Sequence, residues 1–235
     1  TGIPSSGKSD FVDQMVVGYN NNYGWKTAFA SPENQPTYLH AHKLMRKTWQ
    51  GMPTAKDIDT DRWNQIADHC NSNYFHIDME RYTLDSVLKK GAELVKRKGI
   101  KCLVIDPFNK VRDVGGSDDV NRYTMEYLMK IEIFAKKFDV LVFIVAHPTK
   151  MYKNNDGKIE EPTMYNIKGG GEWYDASYHG LLVHRDYKNK TVKVKVLKVK
   201  FQNLGENQAE AHFKWDPVSG DYIPHDAMKI DEMPW

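Results

Sequence analysis

The sequence predicts an α/β protein in which helices flank a mainly parallel sheet, with a β-meander at the C-terminal end. Two continuous runs of β-branched apolar residues, 101–106 and 140–146, are typical of strands that a parallel sheet buries on both faces. Helical periodicity over 121–137 separates them, as the crossover of a βαβ unit requires. After about residue 170, strand-like segments follow one another with short turns. The 235 residues suffice for one large domain, which we expect to cover the whole chain.

Local patterns justify the elements in chain order. Apolar residues at positions 11, 12, 15 and 16 have helical spacing and predict the first helix. An amphipathic pattern over 85–98 ends at Gly99, a residue typical of helix C-termini, and Ser219-Gly220-Asp221 marks a late turn. The predicted helices are 9–20, 38–48, 61–71, 85–98 and 121–137, and the predicted strands are 25–31, 75–79, 101–106, 140–146, 180–185, 191–201 and 211–215.

The chain opens with a phosphate-binding loop pattern, G-x-x-x-x-G-K-S, over residues 2–9. Its glycines let the backbone turn tightly, so that successive N–H groups face an anionic phosphate. We expect Lys8 to reach the β- and γ-phosphates of a nucleotide and the Ser9 hydroxyl to hold Mg²⁺. The alternative is a chance turn, but the helix that follows favours phosphate binding at its N-terminus. The predicted nucleotide-binding residues of the loop are Gly2, Pro4, Ser5, Ser6, Gly7, Lys8 and Ser9.

The motif ordinarily follows a buried strand, whereas Thr1 already lies inside the loop and no apolar run precedes it. We therefore expect the chain to be an N-terminally truncated fragment of a longer protein. Its upstream part could hold another domain.

Three predicted strands end in polar residues that could serve a nucleotide, because ligands of open parallel sheets lie beyond the carboxyl ends of the strands. Asp106 follows a buried strand, as the Mg²⁺-associated carboxylate of phosphate-loop enzymes does; the alternative is a turn aspartate before Pro107. Glu33 is a candidate to activate the attacking water, and the alternative is an exposed turn carboxylate. His147 could sense the γ-phosphate, unless it is a satisfied buried histidine.

Composition excludes several classes of protein. The 33 basic and 31 acidic residues leave a net charge of +2, which is not the strongly basic footprint of a dedicated duplex-DNA binder. The two cysteines, Cys70 and Cys102, cannot form a disulfide framework, which fits a reducing, cytoplasmic compartment; Cys102 is expected in the core. The longest apolar runs, of about seven residues, are too short to span a bilayer, so we expect no membrane partner.

The predicted strand 191–201 alternates lysine with valine until Leu197-Lys198, where the alternation slips. A regular strand would place Lys198 and Lys200 on the same apolar face as the preceding valines. Either a bulge resets the register, or these two lysines leave the sheet to meet an anionic ligand.

Two segments, 113–119 and 150–171, are predicted to be mobile surface loops. The second begins three residues after His147 and contains four lysines and two tyrosines. Such a mixture suits single-stranded nucleic acid, through backbone charge and base stacking, and the alternative is an ordinary long insertion. The predicted DNA-binding residues are Lys150, Lys153, Lys168, Gly169 and Gly170.

The chain resembles the RecA-like motor domain of replicative hexameric helicases in a series of segments. In order they are GIPSSGKS, FASPE, CLVID, VAHP, a glycine-rich stretch before a strand that ends in His184-Arg185, and VLKVKFQNLGE. Many ATPases share the phosphate loop, whereas the SPE, HP and LKVKF elements are specific to this family. The resemblance covers nearly the whole chain, is greatest for the phage primase–helicase and Twinkle-like branch, and implies a RecA-like P-loop NTPase fold.

The resemblance also implies an ATP-dependent DNA helicase motor that uses ATP and Mg²⁺ and moves on single-stranded DNA during replication. The implied partners are further copies of the chain in a hexameric ring and a primase domain or primase partner, in the cytoplasm of a bacterial or phage-infected cell. By family position, Glu33 is the catalytic glutamate, Asp106 is the Mg²⁺-linked aspartate, and His147 couples the γ-phosphate to the DNA loop. Arg185 and Trp215 fall where relatives sandwich the nucleotide base, although Trp215 could instead be a core aromatic.

Lys198 and Lys200 fall in the motif from which a neighbouring subunit inserts a lysine and an arginine finger. Most relatives have arginine at the position of Lys200, and lysine keeps the charge but lacks the planar fork. Lys200, Lys198 or Arg185 could therefore act as the finger. Rival interpretations are a RecA-like recombinase or regulatory ATPase, a small-molecule kinase, and a nucleotide-binding scaffold without hydrolysis; the presence of both Glu33 and Asp106 argues against the scaffold.

Overall fold

The computed structural model of the protein describes residues 1–49, 59–112, 119–149, 151, 160–217 and 219–225. The helices in these ranges are α1 (Lys8–Tyr23), α2 (Thr37–Trp49), α3 (Thr60–Asn73), α4 (Leu84–Lys98), α5 (Val120–Phe138) and α6 (Gly170–Ala176). The strands are β1 (Lys26–Ala30), β2 (Tyr74–His76), β3 (Ile100–Ile105), β4 (Leu141–Ile144), β5 (His179–Asp186), β6 (Thr191–Val199), β7 (Glu210–Trp215) and β8 (Tyr222–Pro224). In the part of the chain so described, no helix is both long and apolar enough to cross a membrane.

The first sheet is parallel throughout, with the strand order β2–β1–β3–β4. Alternate residues of β3 face opposite sides of the sheet. Cys102 and Val104 pack with α1, α2 and α3, whereas Leu103 and Ile105 pack with α4 and α5. Helices therefore cover both faces, which confirms the predicted α/β architecture and the core position of Cys102.

Each predicted helix and strand is present, with ends displaced by a few residues. The patterns do not predict α6 or β8, which have 7 and 3 residues. Elements this short show too little periodicity to be distinguished from loops. Both short elements contact residues of interest. Carbonyl groups of α6 accept hydrogen bonds from Lys198, and Tyr222 of β8 bonds Gly7 of the phosphate loop.

The second sheet is antiparallel, with the order β5–β6–β7–β8, and confirms the predicted meander. Its first strand contacts the start of the chain. The Thr1 backbone nitrogen donates to Leu181 O at 2.6 Å, and Val183 N–H donates to Thr1 O at 2.9 Å. The meander is therefore fixed to the residue that opens the phosphate loop.

A bulge interrupts β6 at the position where the lysine–valine alternation slips. Lys198 pairs with Gly180 and Val196 pairs with Leu181, so Leu197 is the extra residue. Leu197 is buried. The first of the two alternatives for this strand, a bulge that resets the register, is thus correct.

Strand β8 fastens the meander to the helix that follows the phosphate loop. Gln14 of α1 exchanges two hydrogen bonds with the backbone of Tyr222: its Nε2 donates to Tyr222 O at 2.9 Å, and Tyr222 N–H donates to its Oε1 at 2.5 Å. The buried Tyr222 side chain donates its hydroxyl to Gly7 O at 2.9 Å and packs edge-on against Phe11. Tyr222 therefore packs against the end of the phosphate loop and the first turn of α1.

Removing parts of the Tyr222 side chain should destabilise the protein in two steps. We expect Tyr222→Phe to lower the free energy of unfolding by about 1 kcal/mol, because one hydrogen bond is lost and the ring is kept. Tyr222→Ala should lower it by about 3–5 kcal/mol, because a cavity replaces the ring. Urea unfolding measures both, with Tyr38→Ala as an exposed control. Equal effects of the two Tyr222 substitutions would contradict the supporting role of the ring.

Candidate nucleotide-binding site

The phosphate loop winds directly into the N-terminus of α1. Gly7 is the N-cap residue, with φ 90°, and a Cβ atom there would lie 2.2 Å from the Tyr222 hydroxyl, so only glycine fits. A Cβ atom on Gly2, which has φ 152°, would lie equally close to Val183 O. No side chain of the described residues caps α1. The backbone N–H groups of its first turn are therefore suited to bind a phosphate.

Lys8 is buried inside the curve of the loop, with 7% of its surface exposed. Its Nζ donates to Gly2 O and to Ile3 O, both at 2.9 Å. Burial lowers the pKa of Lys8 to about 8, although the negative charges of Asp106 and Glu33 oppose this shift. The predicted phosphate-binding lysine thus lies within electrostatic range of both predicted carboxylates.

Asp106 lies one residue beyond β3, close enough to the Ser9 side chain for Ser9 to influence its pKa. Burial raises the pKa of Asp106, the Ser9 side chain lowers it, and the charges of Asp13 and Glu33 raise it further. A hydroxyl and a carboxylate are oxygen ligands that Mg²⁺ prefers, and a cation would relieve the cost of burying the carboxylate. Ser9 and Asp106 therefore fit the role of Mg²⁺ ligands.

The described ranges contain no group of three or more His, Cys, Asp or Glu side chains that could hold a metal ion on their own. The Mg²⁺ sites of phosphate-transfer enzymes do not require such a group. Such sites use one or two protein ligands and complete the coordination with water and substrate phosphates.

Glu33 and His147 complete the group of polar residues at the strand ends. Glu33 lies between β1 and α2, and its charge raises the pKa of both Lys8 and His147. Burial, followed by the charge of Lys8, lowers the pKa of His147 overall, which leaves its imidazole neutral at pH 7. Its Nδ1 is buried and has no hydrogen-bond partner among the described residues. The structure thus brings Lys8, Glu33, Asp106 and His147 together, as the strand ends predict.

The lowered pKa of Lys8 predicts proton uptake when a nucleotide binds. Around pH 8.5 a substantial part of the Lys8 side chains is neutral, and phosphate favours the charged form, so we expect an uptake of about half a proton or more. Below about pH 7 Lys8 is already charged and this uptake should vanish. Calorimetric titration with ADP in buffers of different ionisation enthalpy measures the effect. Lys8→Arg is the matched control, because arginine stays charged, and equal uptake by this variant would assign the proton to another group.

Arg185 and Trp215 lie together beside the phosphate loop. The Arg185 Cζ is 5.3 Å from the centroid of the Trp215 ring and 5.8 Å from that of Tyr187. The Tyr187 hydroxyl donates to Ser5 O at 2.8 Å. Trp215 is 38% exposed, so the alternative that it is a core aromatic is wrong. A guanidinium beside exposed rings suits a planar nucleotide base.

Tyr187 is a candidate site residue that the sequence reasoning missed. Its signal was closeness in sequence to Arg185, two positions earlier, because Tyr187 follows the last residue of β5 and strand alternation does not include it. Tyr222 carried no such signal, since its role depends on contact with Gly7 at the other end of the chain.

Lys198 and Lys200 contact α6 and Tyr178 rather than the phosphate loop. Lys198 Nζ donates to two backbone carbonyls at the C-terminal end of α6, and Lys200 Nζ lies 4.0 Å from the centroid of the Tyr178 ring. Lys198 pairs with Gly180, which is five residues, or about 17 Å, along β5 from Arg185. Both lysines therefore have partners in the described part of the chain that do not belong to the phosphate loop.

The predicted DNA-binding residues are only partly described. Lys150, Lys153 and the segment 113–118 lie outside the described residues. Lys168 lines a cavity of about 210 Å³, which continues to His147 at the nucleotide site and to Arg112. The other lining residues are Phe108, Asn109, Val120, Tyr123, Thr124, Pro148, Thr149 and Ile167. This cavity thus joins one predicted DNA contact to the histidine of the nucleotide site.

The described end of the second predicted loop is not a free surface loop. Residues Met164–Asn166 form a 3-10 turn, and Met164 and Ile167 are buried. The loop prediction is wrong here because these apolar side chains pack into the core. Gly169 and Gly170 begin α6, where a Cβ would lie 2.4 Å from Thr124 Oγ1 and 2.2 Å from Tyr165 O. Close packing therefore explains why glycine occupies both positions, without any ligand.

Comparison with known proteins gives one curated relative of clear similarity. No protein-family model matches the chain. The chain is 29% identical over 244 residues to the Twinkle homolog protein, chloroplastic/mitochondrial, of Arabidopsis thaliana. The match covers 94% of this chain and 33% of that protein, so the chain spans about a third of the length of the relative.

Two solved structures share the fold at 14% sequence identity each. The first, described as an ATPase domain, superposes with a TM-score of 0.75, covering 96% of this chain and 83% of that one. A DnaB-like replicative helicase, described with its interactions with primase, gives a TM-score of 0.73 over 94% of this chain and 55% of that one. The chain has the RecA-like fold of replicative helicase ATPase domains, and the resemblance recognised in its sequence is confirmed.

Proposed function

We propose that the chain is the motor domain of an ATP-dependent DNA helicase, which couples ATP hydrolysis to movement along single-stranded DNA during replication. One observation carries the proposal: Lys8, Glu33, Asp106 and His147 meet beside a phosphate loop at one edge of a parallel sheet. The similarity to a Twinkle homologue and the RecA-like fold support it. ATP and Mg²⁺ are the proposed cofactors.

The proposed hydrolysis assigns one task to each residue. Lys8 and the first-turn N–H groups of α1 hold the phosphate oxygens, and Ser9 and Asp106 hold the Mg²⁺. When bound, Mg²⁺ neutralises charge on the β- and γ-phosphates. Glu33 accepts the proton of the water that attacks the γ-phosphorus, so that ADP and inorganic phosphate are released. Arg185 and Trp215 hold the base.

His147 is the proposed connection between hydrolysis and DNA. It lies within electrostatic range of Lys8 and Glu33 and also lines the cavity that holds Arg112 and Lys168. Arg112 lies 4.8 Å from the centroid of the Tyr123 ring, so the cavity combines two cations with an aromatic face. That combination suits the phosphates and bases of a single strand. A change at the γ-phosphate could therefore reach the DNA through one side chain.

The proposed DNA contact is tested by removing both cations of the cavity in the full-length protein. Arg112→Ala/Lys168→Ala should abolish the stimulation of ATP hydrolysis by single-stranded DNA and leave basal hydrolysis intact. The slope of log affinity against log salt should become shallower by about 1.4, since each phosphate contact on a single strand contributes about 0.7. ATPase rates and salt titrations of a fluorescent oligonucleotide measure the two effects.

Lys89→Ala/Arg97→Ala is the matched control, because it removes two exposed cations from α4. It should change neither the stimulation nor the salt slope. If the Arg112/Lys168 variant keeps both, the DNA contact lies elsewhere.

The same proposal includes a ring of identical subunits, a hexamer by family analogy, with a primase domain or primase partner. In such a ring Lys200, or else Lys198, would act on the nucleotide of the neighbouring subunit, while Arg185 stays with the base bound by its own chain. The proposed location is the cytoplasm of a bacterial or phage-infected cell. Separation of a duplex with a single-stranded tail, without strand exchange, would distinguish this motor from a RecA-like recombinase.

A further inference from the structure

Three polar side chains form a buried chain of hydrogen bonds behind the phosphate-loop helix. His40 Nε2 lies 3.0 Å from Asp13 Oδ1, and His40 Nδ1 lies 2.9 Å from His76 Nε2. Asp13 and His40 are 2% and 3% exposed. The ring of Phe29 stacks on His76 and meets His40 edge-on. Burying polar groups in such surroundings is costly unless each group has its hydrogen-bond partners. The presence of this hydrogen-bonded trio in the interior therefore calls for an explanation other than packing.

The hydrogen bonds among Asp13, His40 and His76 follow from the groups that each side chain contacts. Burial and the neighbouring His40 lower the pKa of His76 to about 4, so the His76 ring is neutral at pH 7. His40 donates through Nε2 to the Asp13 carboxylate, which can only accept, and His40 Nδ1 and His76 Nε2 share one hydrogen bond. Every ring nitrogen between the carboxylate and β2 then has its hydrogen-bond role filled.

The hydrogen-bonded chain joins the two elements that carry the nucleotide-site residues. Asp13 belongs to α1, which begins at Lys8 and contains Ser9. His40 belongs to α2, which begins at Thr37, four residues after Glu33. A second link runs parallel to the first, because Lys43 Nζ lies 2.8 Å from Asp10 Oδ1 and 3.0 Å from Asp13 Oδ2. His76 ties the pair of helices to the end of β2 beside β1, the strand that leads to Glu33.

We infer that Asp13, His40 and His76 form a positioning clamp that fixes Glu33 relative to Lys8 and Ser9. The segment 31–36 is held by β1 at one end and by α2 at the other. Its placement relative to the phosphate loop therefore depends on how α2 sits against α1. The clamp residues touch neither nucleotide nor water in the reaction; they act through the position of Glu33. The inference rests on the proposed ATP hydrolysis.

The test compares two substitutions of His76 in the full-length protein. His76→Gln keeps an N–H close to the position of Nε2, whereas His76→Leu removes it at similar volume. We expect His76→Leu to lower kcat about 10–100-fold while the affinity for ADP stays within about twofold, because misplacing the base slows the chemical step without emptying the phosphate loop. His76→Gln should recover most of kcat.

His69→Leu is the matched control. His69 also bonds α1, through its Nε2 at 2.7 Å from Asn20 Oδ1, but at the end of the helix far from the phosphate loop. His69→Leu should leave kcat unchanged, although we expect it to lower the stability in urea by about as much as His76→Leu does. If His76→Leu does not fold, His76→Asn replaces it, because its shorter amide cannot reach His40. Equal kcat for His76→Gln and the variant lacking the bond would overturn the clamp, whereas a wild-type protein without ATPase activity would overturn the proposed function instead.

Discussion

Glu33→Gln should reduce ATP turnover by about 10²-fold or more while nucleotide binding survives. Glutamine keeps the size of the side chain but cannot accept the proton of the attacking water. A loss of this size corresponds to about 2.7 kcal/mol of transition-state stabilisation. The phosphate loop, Lys8 and Asp106 are untouched, so the affinity for ADP should change little. Steady-state ATPase rates and fluorescent ADP titrations measure the two quantities separately.

Glu206→Gln is the control for this prediction, since Glu206 is an exposed glutamate in the connection between β6 and β7. It should keep the wild-type rate. Full hydrolysis by the Glu33→Gln protein would remove Glu33 from the catalytic role. A loss of both turnover and ADP affinity would instead indicate that Glu33 supports the loop.

Lys8→Ala should abolish turnover and also weaken nucleotide binding, in contrast to Glu33→Gln. Lys8 supplies a charge-assisted bond to the phosphates in both the bound state and the transition state. We expect the affinity for ADP to fall by about tenfold or more, since bonds to charged groups contribute about 1.5–3 kcal/mol. The protein itself should not lose stability at pH 7, because burial disfavours the charged Lys8 when no phosphate is near.

Lys89→Ala, which removes an exposed lysine of α4, is the control for the loss of one positive charge. Calorimetric ADP titrations and urea unfolding give affinity and stability for both variants. Unchanged ADP affinity in Lys8→Ala would be incompatible with a phosphate-binding loop at residues 2–9.

The sequence predicted the parts of the site that depend on local pattern. Spacing alone identified Lys8 and Ser9, and the ends of buried strands identified Asp106 and His147, which the structure places together. The slip in the lysine–valine alternation located the irregularity of β6 and left a bulge as one of two alternatives, because strand periodicity is strict enough for one extra residue to be visible.

The rest depends on contacts between distant residues, which no local pattern contains. Strand β8 is too short to show a period, and the role of Tyr222 exists only through its bond to Gly7. The clamp histidines stand in ordinary helical and strand patterns, 36 residues apart, and their pairing depends on the packing of α2 against β2. Lys198 was predicted to reach an anion or to follow a bulge, and its carbonyl partners belong to a helix that the pattern does not show.

The bond between the Tyr222 hydroxyl and Gly7 joins residues separated by 215 positions. Contacts of such long sequence separation close large loops and are slow to form. Domains are also made from the N-terminus onward, so the phosphate loop leaves the ribosome long before its supporting tyrosine does. A growing polypeptide therefore carries the nucleotide-binding motif well before it can hold the motif in shape. Under the proposed function, the ability to bind ATP should arise late in biosynthesis, after β8 has docked on α1.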